Sequence, residues 1–435
     1  MYRMLMKILR KTSIGKRVSP IASTAISVIL ARGASFALFV ISARHMSTTD
    51  YASLVYAIGV SQILVQIGSL GWLNLIRREA TRFDVTASDL ARGFILRSFQ
   101  IPILGVALSC VLFYLPSHLE SFDQHLSQSV RYSVMLAIPS LFSSILREYL
   151  ASLKRPAASV LCNETIPMMV TVAFVLLLGI QSVDACVWLL IAVQTACLAP
   201  QALMLYPAYA RFFASADIAY KSLDWTKAAF LTVLGYGGKL LMDRMDTLMI
   251  APMAGMEALA QFNSINRIAS LQLIVPVILI PVFSPLISDA FAKRDVLRLR
   301  SEIFLQIGII LVTSVPFSLV LFLFPNYVMS AIFGAKFAGS SDILWLSVTS
   351  NLLFSFALPF GVLLLMTDGE KPYATGSLCG LTVYALGVYE LIPTYGIHGA
   401  AWAMLAGTMV LTLLIVFAGR RRLALAQEVG KSHEP

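Results

Sequence analysis

Seven of the ionisable residues inside the long apolar stretches of this chain are the informative ones: Arg32, Glu164, Lys239, Asp243, Arg244, Asp246 and Arg267. A charge at the depth of a bilayer costs about 3 kcal/mol or more, so such a group faces a partner charge or an aqueous cavity and marks an ion or substrate path. Arg32 stands near the middle of its stretch, about 16 Å from either interface at 1.5 Å per residue, beyond the reach of a snorkelling side chain. Lys239, Asp243 and Asp246 follow one another at i, i+4 and i+7, which on a continuous helix puts all three along one face. Lys239 with Asp243 fits an internally neutral pair, and Arg244 can pair with Asp246 or with a neighbouring helix. Arg32 and Arg267 have no local acidic partner on their own helices and point to a cavity. Glu164 has three readings: an ion pair with Arg147 or Arg155, a contact to substrate hydroxyls, or a coupling proton. Arg147 and Glu148 read as an interfacial salt bridge. Asn263, Asn266, Arg267 and Ser270 form a polar stripe, and Pro276, Pro281 and Pro285 beyond it should bend their helix. Gln62 and Gln66, at i and i+4, suit either ligand hydroxyls or interhelical hydrogen bonds.

The elements that must position these residues are transmembrane helices. Of the 435 residues, 58% are hydrophobic and 13% charged; a soluble domain is about 45–50% apolar and about 25% charged. Disordered, collagen-like and disulfide-scaffold chains are excluded on the same grounds. A span needs about 20 apolar residues. Twelve candidates meet that length: 21–43, 51–76, 93–116, 130–152, 157–179 and 184–209, then 226–250, 257–285, 301–325, 342–366, 372–392 and 397–419. The expected fold is thus an all-α polytopic membrane protein. The first apolar run reads as a retained span rather than a cleaved signal peptide. With both termini on one side, 26 of the 33 Lys and Arg residues fall on that side and only Arg44, Arg131 and Lys336 on the other. The positive-inside rule makes that side the cytoplasm. The net charge of +10 is therefore a topology signal, not a nucleic-acid patch.

The connection at 211–225 divides the chain into an N-terminal bundle, 1–210, and a C-terminal bundle, 226–435, with a basic tail. A split of six spans and six suggests a duplicated transporter. The loops are too short for a soluble active site, and no Walker, zincin or paired His/Cys motif occurs, so neither an enzyme, a cofactor nor a metal site is expected. Cys110, Cys162, Cys186, Cys197 and Cys379 all fall in spans and read as buried structural thiols. Gly235, Tyr236, Gly237 and Gly238 predict a flexible or closely packed segment at mid-depth.

Three stretches carry a resemblance. Ile41 to Ala80, ISARHMSTTDYASLVYAIGVSQILVQIGSLGWLNLIRREA, resembles the opening of Wzx-type polysaccharide flippases: a small residue and Arg, a Leu-Ser-x-x-Asp-Tyr-Gly-like turn, and a Gly-rich span ending in basic residues. It departs from them at His45-Met46 and at Ala52, where Gly is common. Leu391 to Ala403, LIPTYGIHGAAWA, is similar to that family's Pro-x-x-Gly-x-x-Gly-Ala-Ala stretch, and Phe333 to Phe337 resembles its FGxxF element. The family belongs to the MOP superfamily, together with the multidrug MATE exporters. The resemblance implies two six-helix bundles related by a pseudo-two-fold axis, with spans 1, 2, 7 and 8 around a central cavity, and alternating access. It implies a bacterial inner-membrane flippase for undecaprenyl-diphosphate-linked oligosaccharide, serving O-antigen, capsule or exopolysaccharide synthesis. On that reading Arg32, Lys239, Arg244 and Arg267 meet the pyrophosphate, and Gln62, Gln66, Asn263, Asn266 and Ser270 meet sugar hydroxyls. Glu164, Asp243 and Asp246 are the candidates for ion coupling. Membrane lipids, a polysaccharide polymerase and a chain-length regulator are the expected partners. The rival reading is a MATE-type cation-coupled drug exporter, whose organic-cation substrates would favour a more acidic cavity.

Overall fold

In a computed structural model the chain is all-helical, with no strand among the described residues, which are 15–81, 88–118, 124–153, 155–213, 218–367 and 369–431. Helices α1 (Gly15–His45), α2 (Thr48–Gly68), α3 (Trp72–Ala80), α4 (Ser88–Tyr114) and α5 (Gln124–Ser152) come first. They are followed by α6 (Pro156–Leu178) and α7 (Val183–Phe213). The second half holds α8 (Ser222–Met242), α9 (Met245–Ala254), α10 (Met256–Ser270) and α11 (Ile274–Ala292). Last are α12 (Val296–Leu323), α13 (Pro325–Phe333), α14 (Leu344–Met366) and α15 (Glu370–Lys431).

Ten helical stretches among the described residues are long and apolar enough to cross a membrane, against twelve predicted. One of the ten, Glu370–Leu425, holds two predicted spans. Gly396, at φ 55° and ψ −132°, breaks α15 into two limbs. That conformation suits glycine. The limbs then pack so closely that a Cβ on Gly380 would lie 2.9 Å from the carbonyl oxygen of Gly407. The predicted span 226–250 is divided: α8 stops at Met242 and α9 starts at Met245. The predicted 211–225 connection is shorter than expected, because α7 runs on to Phe213 and α8 begins at Ser222. Residues 214–217 in it lie outside the described ones, as do the N-terminal cations Arg3, Lys7, Arg10 and Lys11.

By contact density the chain forms two compact units, one of residues 1–41, 61–120 and 130–231, the other of 42–60, 121–129 and 232–435. In the first unit the outer surface is apolar. Leu104, Leu108 and Leu112 are 70%, 60% and 62% exposed at i, i+4 and i+8, a stripe for lipid rather than water. Its interior is fixed by aromatic contacts: Trp72 to Phe94 at 5.6 Å and Phe94 to Trp225 at 5.2 Å between ring centroids. Within α6, Leu161–Thr165 forms a π-helical turn. Gln201 from α7 satisfies the loosened backbone, donating from Nε2 to the Cys162 carbonyl at 3.2 Å and to Ser143 Oγ at 3.2 Å.

In the second unit, Ser47 caps the start of α2. Ser47 Oγ accepts from the Asp50 N–H at 3.0 Å and donates to its carboxylate at 2.8 Å. The Ser-x-x-Asp-Tyr turn noted above is thus a helix start. Arg44 donates to the carbonyls of Ile332, at 2.8 Å, and Ala331, which are free at the end of α13. Lys336 donates to the Met46 carbonyl at 2.7 Å. The three predicted prolines leave α10 and α11 nearly continuous, with a tighter turn at Leu271–Leu273. Pro276 has no N–H for the Gln272 carbonyl, and Ser314 Oγ donates to it instead, at 3.3 Å. The Gln272 amide donates to Val348 O at 2.8 Å and accepts from Ser318 at 2.7 Å, tying α12 and α14 to the same point. Cys197 is half-buried and Cys379 exposed, contrary to the expectation of five buried thiols: Cys379 points outward from α15, where a thiol is apolar enough to meet lipid.

Candidate functional site

The break between α8 and α9 is the most polar point inside a predicted span. It falls at Asp243-Arg244, among the charges that drew attention in the sequence. Breaking a membrane helix frees backbone groups, and such irregular backbone is tolerated only where protein or a cavity can satisfy it. Asp246 supplies one satisfaction, accepting from the Thr247 N–H at 2.7 Å through Oδ1. Its other oxygen accepts from Asn266 Nδ2, on α10, at 3.1 Å. Gly59 lets α2 approach here: a Cβ at that position would fall 2.6 Å from Thr247 Cγ2.

The stretch carrying Lys239, Asp243 and Asp246 is interrupted at Asp243-Arg244, between α8 and α9, where the sequence predicts a continuous helix. Lys239 and Asp243 do pair, as predicted. The Lys239 ammonium also lies 4.3 Å from the centroid of the Phe354 ring. Asp243 remains about half exposed, at 52%. Arg244 begins α9 and forms no ion pair among the described residues, although it lies within electrostatic reach of Asp246. The segment around Gly235–Gly238, expected to be flexible or closely packed, is continuous helix. A Cβ on Gly238 would lie 3.1 Å from the Ser377 carbonyl carbon, so the packing half of that expectation holds.

The polar stripe on α10 is present and divides by role. Asn263 is buried and accepts from the Tyr51 hydroxyl at 3.3 Å. Asn266 holds Asp246. Arg267 is half-buried, and its charge acts on Tyr51. Ser270 turns back on its own helix, donating to the Arg267 carbonyl at 2.9 Å. Two polar atoms near the break are left over. Asn266 Oδ1 and the hydroxyl of Tyr384 are buried with no hydrogen-bond partner among the described residues. Tyr384, from α15, lies within electrostatic reach of both Asp243 and Asp246. Sequence reasoning missed Tyr384, since an isolated Tyr in an apolar span carries no signal.

In the first unit the charges are arranged differently. Glu164 pairs with Arg147 at 2.8 Å, one of its predicted partners, and Arg155 is exposed elsewhere. Arg147 also meets Glu148 at 3.0 Å, as predicted. Glu148, only 3% exposed, accepts in addition both arms of Arg77, at 2.6 and 3.0 Å. That third residue, 71 positions away, had no signal in the sequence. Arg32 is exposed, with no ion-pair partner among the described residues. Gln62 is exposed and Gln66 half-buried. No group of three or more His, Cys, Asp or Glu residues able to hold a metal ion occurs among the described residues.

No family model matches the chain, and no curated protein matches it. Solved structures do. It is similar to a multidrug resistance MATE family transporter of the MOP superfamily in an inward-facing conformation, at TM-score 0.67 and 14% identity over 91% of this chain and 96% of that one. It is similar to an outward-facing conformation of such a transporter at TM-score 0.62 and 14% identity, over 94% and 96%. A MOP superfamily transporter from Pyrococcus furiosus, described by a reversed polarity of its binding pocket that suggests a different function, matches at TM-score 0.63 and 15% identity, over 94% and 96%. The chain therefore has the fold of the MATE transporters of the MOP superfamily.

Proposed function

We propose that this protein is an alternating-access transporter, not an enzyme, and that it flips a polyprenyl-diphosphate-linked oligosaccharide across a bacterial inner membrane. The observation that carries the reading is the balance of charge at membrane depth. Lys239 is committed to Asp243. Arg244 and Arg32 have no ion-pair partner among the described residues. An organic cation would be repelled by such groups, whereas a diphosphate is attracted by them. The Pyrococcus furiosus relative supports the idea that this fold hosts pockets of differing polarity and function.

On this reading Arg32, Arg244 and Arg267, with Lys239, meet the diphosphate during its passage. Asn263, Asn266, Ser270, Gln62 and Gln66 offer hydrogen bonds to the glycan, and the polyprenyl tail stays in lipid. Asp243 and Asp246 are the ion-coupling carboxylates; Glu164 is the weaker candidate because Arg147 already neutralises it. ATP is not required. Moving about two negative charges outward across an inside-negative membrane of 100 mV releases ~4–5 kcal/mol. Cytoplasmic termini follow from the distribution of Lys and Arg.

The test is mass spectrometry of polyprenyl-diphosphate lipids in cells lacking the protein. A complete lipid-linked repeat unit should accumulate, wild type should clear it, and Arg32→Ala should not. Unchanged lipid intermediates together with new sensitivity to cationic drugs would replace this reading with the drug exporter.

A further inference from the structure

At one end of the C-terminal unit, the α11–α12 turn, the α14–α15 turn and the last turns of α15 converge on two adjoining cavities of about 390 and 450 Å³. Arg422 and Leu425 line both and so form their shared wall. The first cavity is apolar along Leu364, Leu414, Phe417 and Ala418, with Arg421 in its lining. Phe291, Leu299, Arg294 and Asp295 line the second. We propose that this is a site for an anionic phospholipid, with an acyl chain in the apolar cavity and the headgroup phosphate between Arg421 and Arg294.

The charge accounting supports an anion. Lys293 and Arg298 are both committed to Asp289, at 2.9 and 3.1 Å. The Asp295 carboxylate caps α12, accepting from the Arg298 N–H at 3.0 Å. Arg422 is held in place: it donates to the Thr367 carbonyl, and its guanidinium lies 5.5 Å from the centroid of the Phe291 ring. Arg294 and Arg421 are exposed and have no acidic partner among the described residues. Two uncommitted guanidiniums thus flank a fixed third beside an apolar hollow. Free phosphate would leave that hollow empty, whereas a lipid fills both parts. Arg294 also occupies the left-handed position of a helix end, at φ 55°, where glycine is usual. Four helix ends and a late stretch of α15 meet here, at the end that the distribution of Lys and Arg assigns to the cytoplasm. Basic pockets between helices on that side suit anionic headgroups.

This site lies apart from the charged break at α8–α9, and its test does not depend on the transported substrate. Native mass spectrometry of the full-length protein in detergent should show phosphatidylglycerol retained in preference to phosphatidylcholine of the same chain length. The double variant Arg294→Asn/Arg421→Ala should lose that retention by about tenfold or more, while Arg78→Ala, a surface control, should not. Asn tolerates the left-handed turn at 294. Should the double variant fail to fold, Arg421→Gln alone carries the test, with a smaller loss expected. Equal retention of phosphatidylcholine by wild type, or of phosphatidylglycerol by the variants, would overturn the proposal. Displacement of the lipid by millimolar inorganic phosphate would reduce the site to a simple anion site and overturn it as well. Flippase activity lost with lipid retention intact would leave this site standing and bear only on the proposed function.

Discussion

Glu148 in the first unit and Asp246 in the second are both acids inside an apolar protein, and they are treated in opposite ways. Glu148 is enclosed by Arg77 and Arg147, and the same Arg147 neutralises Glu164. Each acid there has an arginine, and the nearby π-helical turn has its loosened carbonyl caught by Gln201. Asp246 is held by a backbone N–H and an amide, with Arg244 near but not bonded. Beside it, Asn266 Oδ1 and the Tyr384 hydroxyl are buried with no hydrogen-bond partner among the described residues. Unsatisfied buried polar atoms cost about 1–3 kcal/mol each, and proteins keep them where function needs them. The first cluster is framework. The second has spare bonding capacity, which the proposed passage of an ion or headgroup would use.

Four substitutions sharpen that contrast, from the largest effect on stability to the smallest. Glu148→Ala should be the most damaging, because it empties a buried site and removes the acid that Arg77 and Arg147 share; about 3 kcal/mol of destabilisation is expected. It would be read as a lowered unfolding midpoint in detergent, and a midpoint unchanged from wild type would remove the cluster from the framework. Gln201→Leu should cost about 1–3 kcal/mol by orphaning the Cys162 carbonyl; hydrogen exchange in α6 should rise locally. If exchange there stays slow, Gln201 is not what holds the π-helical turn.

The C-terminal cluster should respond in the other sense. Lys239→Met should change stability by no more than about 1 kcal/mol, because Asp243 is half exposed and the pair is screened. Asp246→Asn should be nearly silent in unfolding, since an amide oxygen can still accept from Thr247, yet it should reduce clearance of the accumulated lipid-linked intermediate at least about tenfold if the carboxylate carries charge during transport. A variant as active as wild type would assign Asp246 to structure alone and erase the distinction between the clusters.

Much of this was legible in the residues. The period and length of the apolar runs mark the spans because a bilayer sets one length for all of them. The i, i+4 pair of Lys239 and Asp243 was readable because it is local, as was the neighbour pair Arg147 and Glu148. The helix break was not, since Asp243 and Arg244 carry no Gly or Pro to announce it. The boundary between the predicted spans 372–392 and 397–419 was also legible, and the structure places the kink of α15 there, at Gly396.

Composition and order along the chain therefore determined that this is a polytopic helical membrane protein with charges at depth, because hydrophobic length and local spacing are properties of a single stretch of chain. Tertiary structure alone decided which charges are spent. Arg77 reaches Glu148 across 71 positions, Tyr51 reaches Asn263 across 212, and Tyr384 comes to rest beside Asp243 and Asp246. Such partnerships depend on how helices rotate and pack, and packing sums many weak contacts that no one segment of the sequence contains.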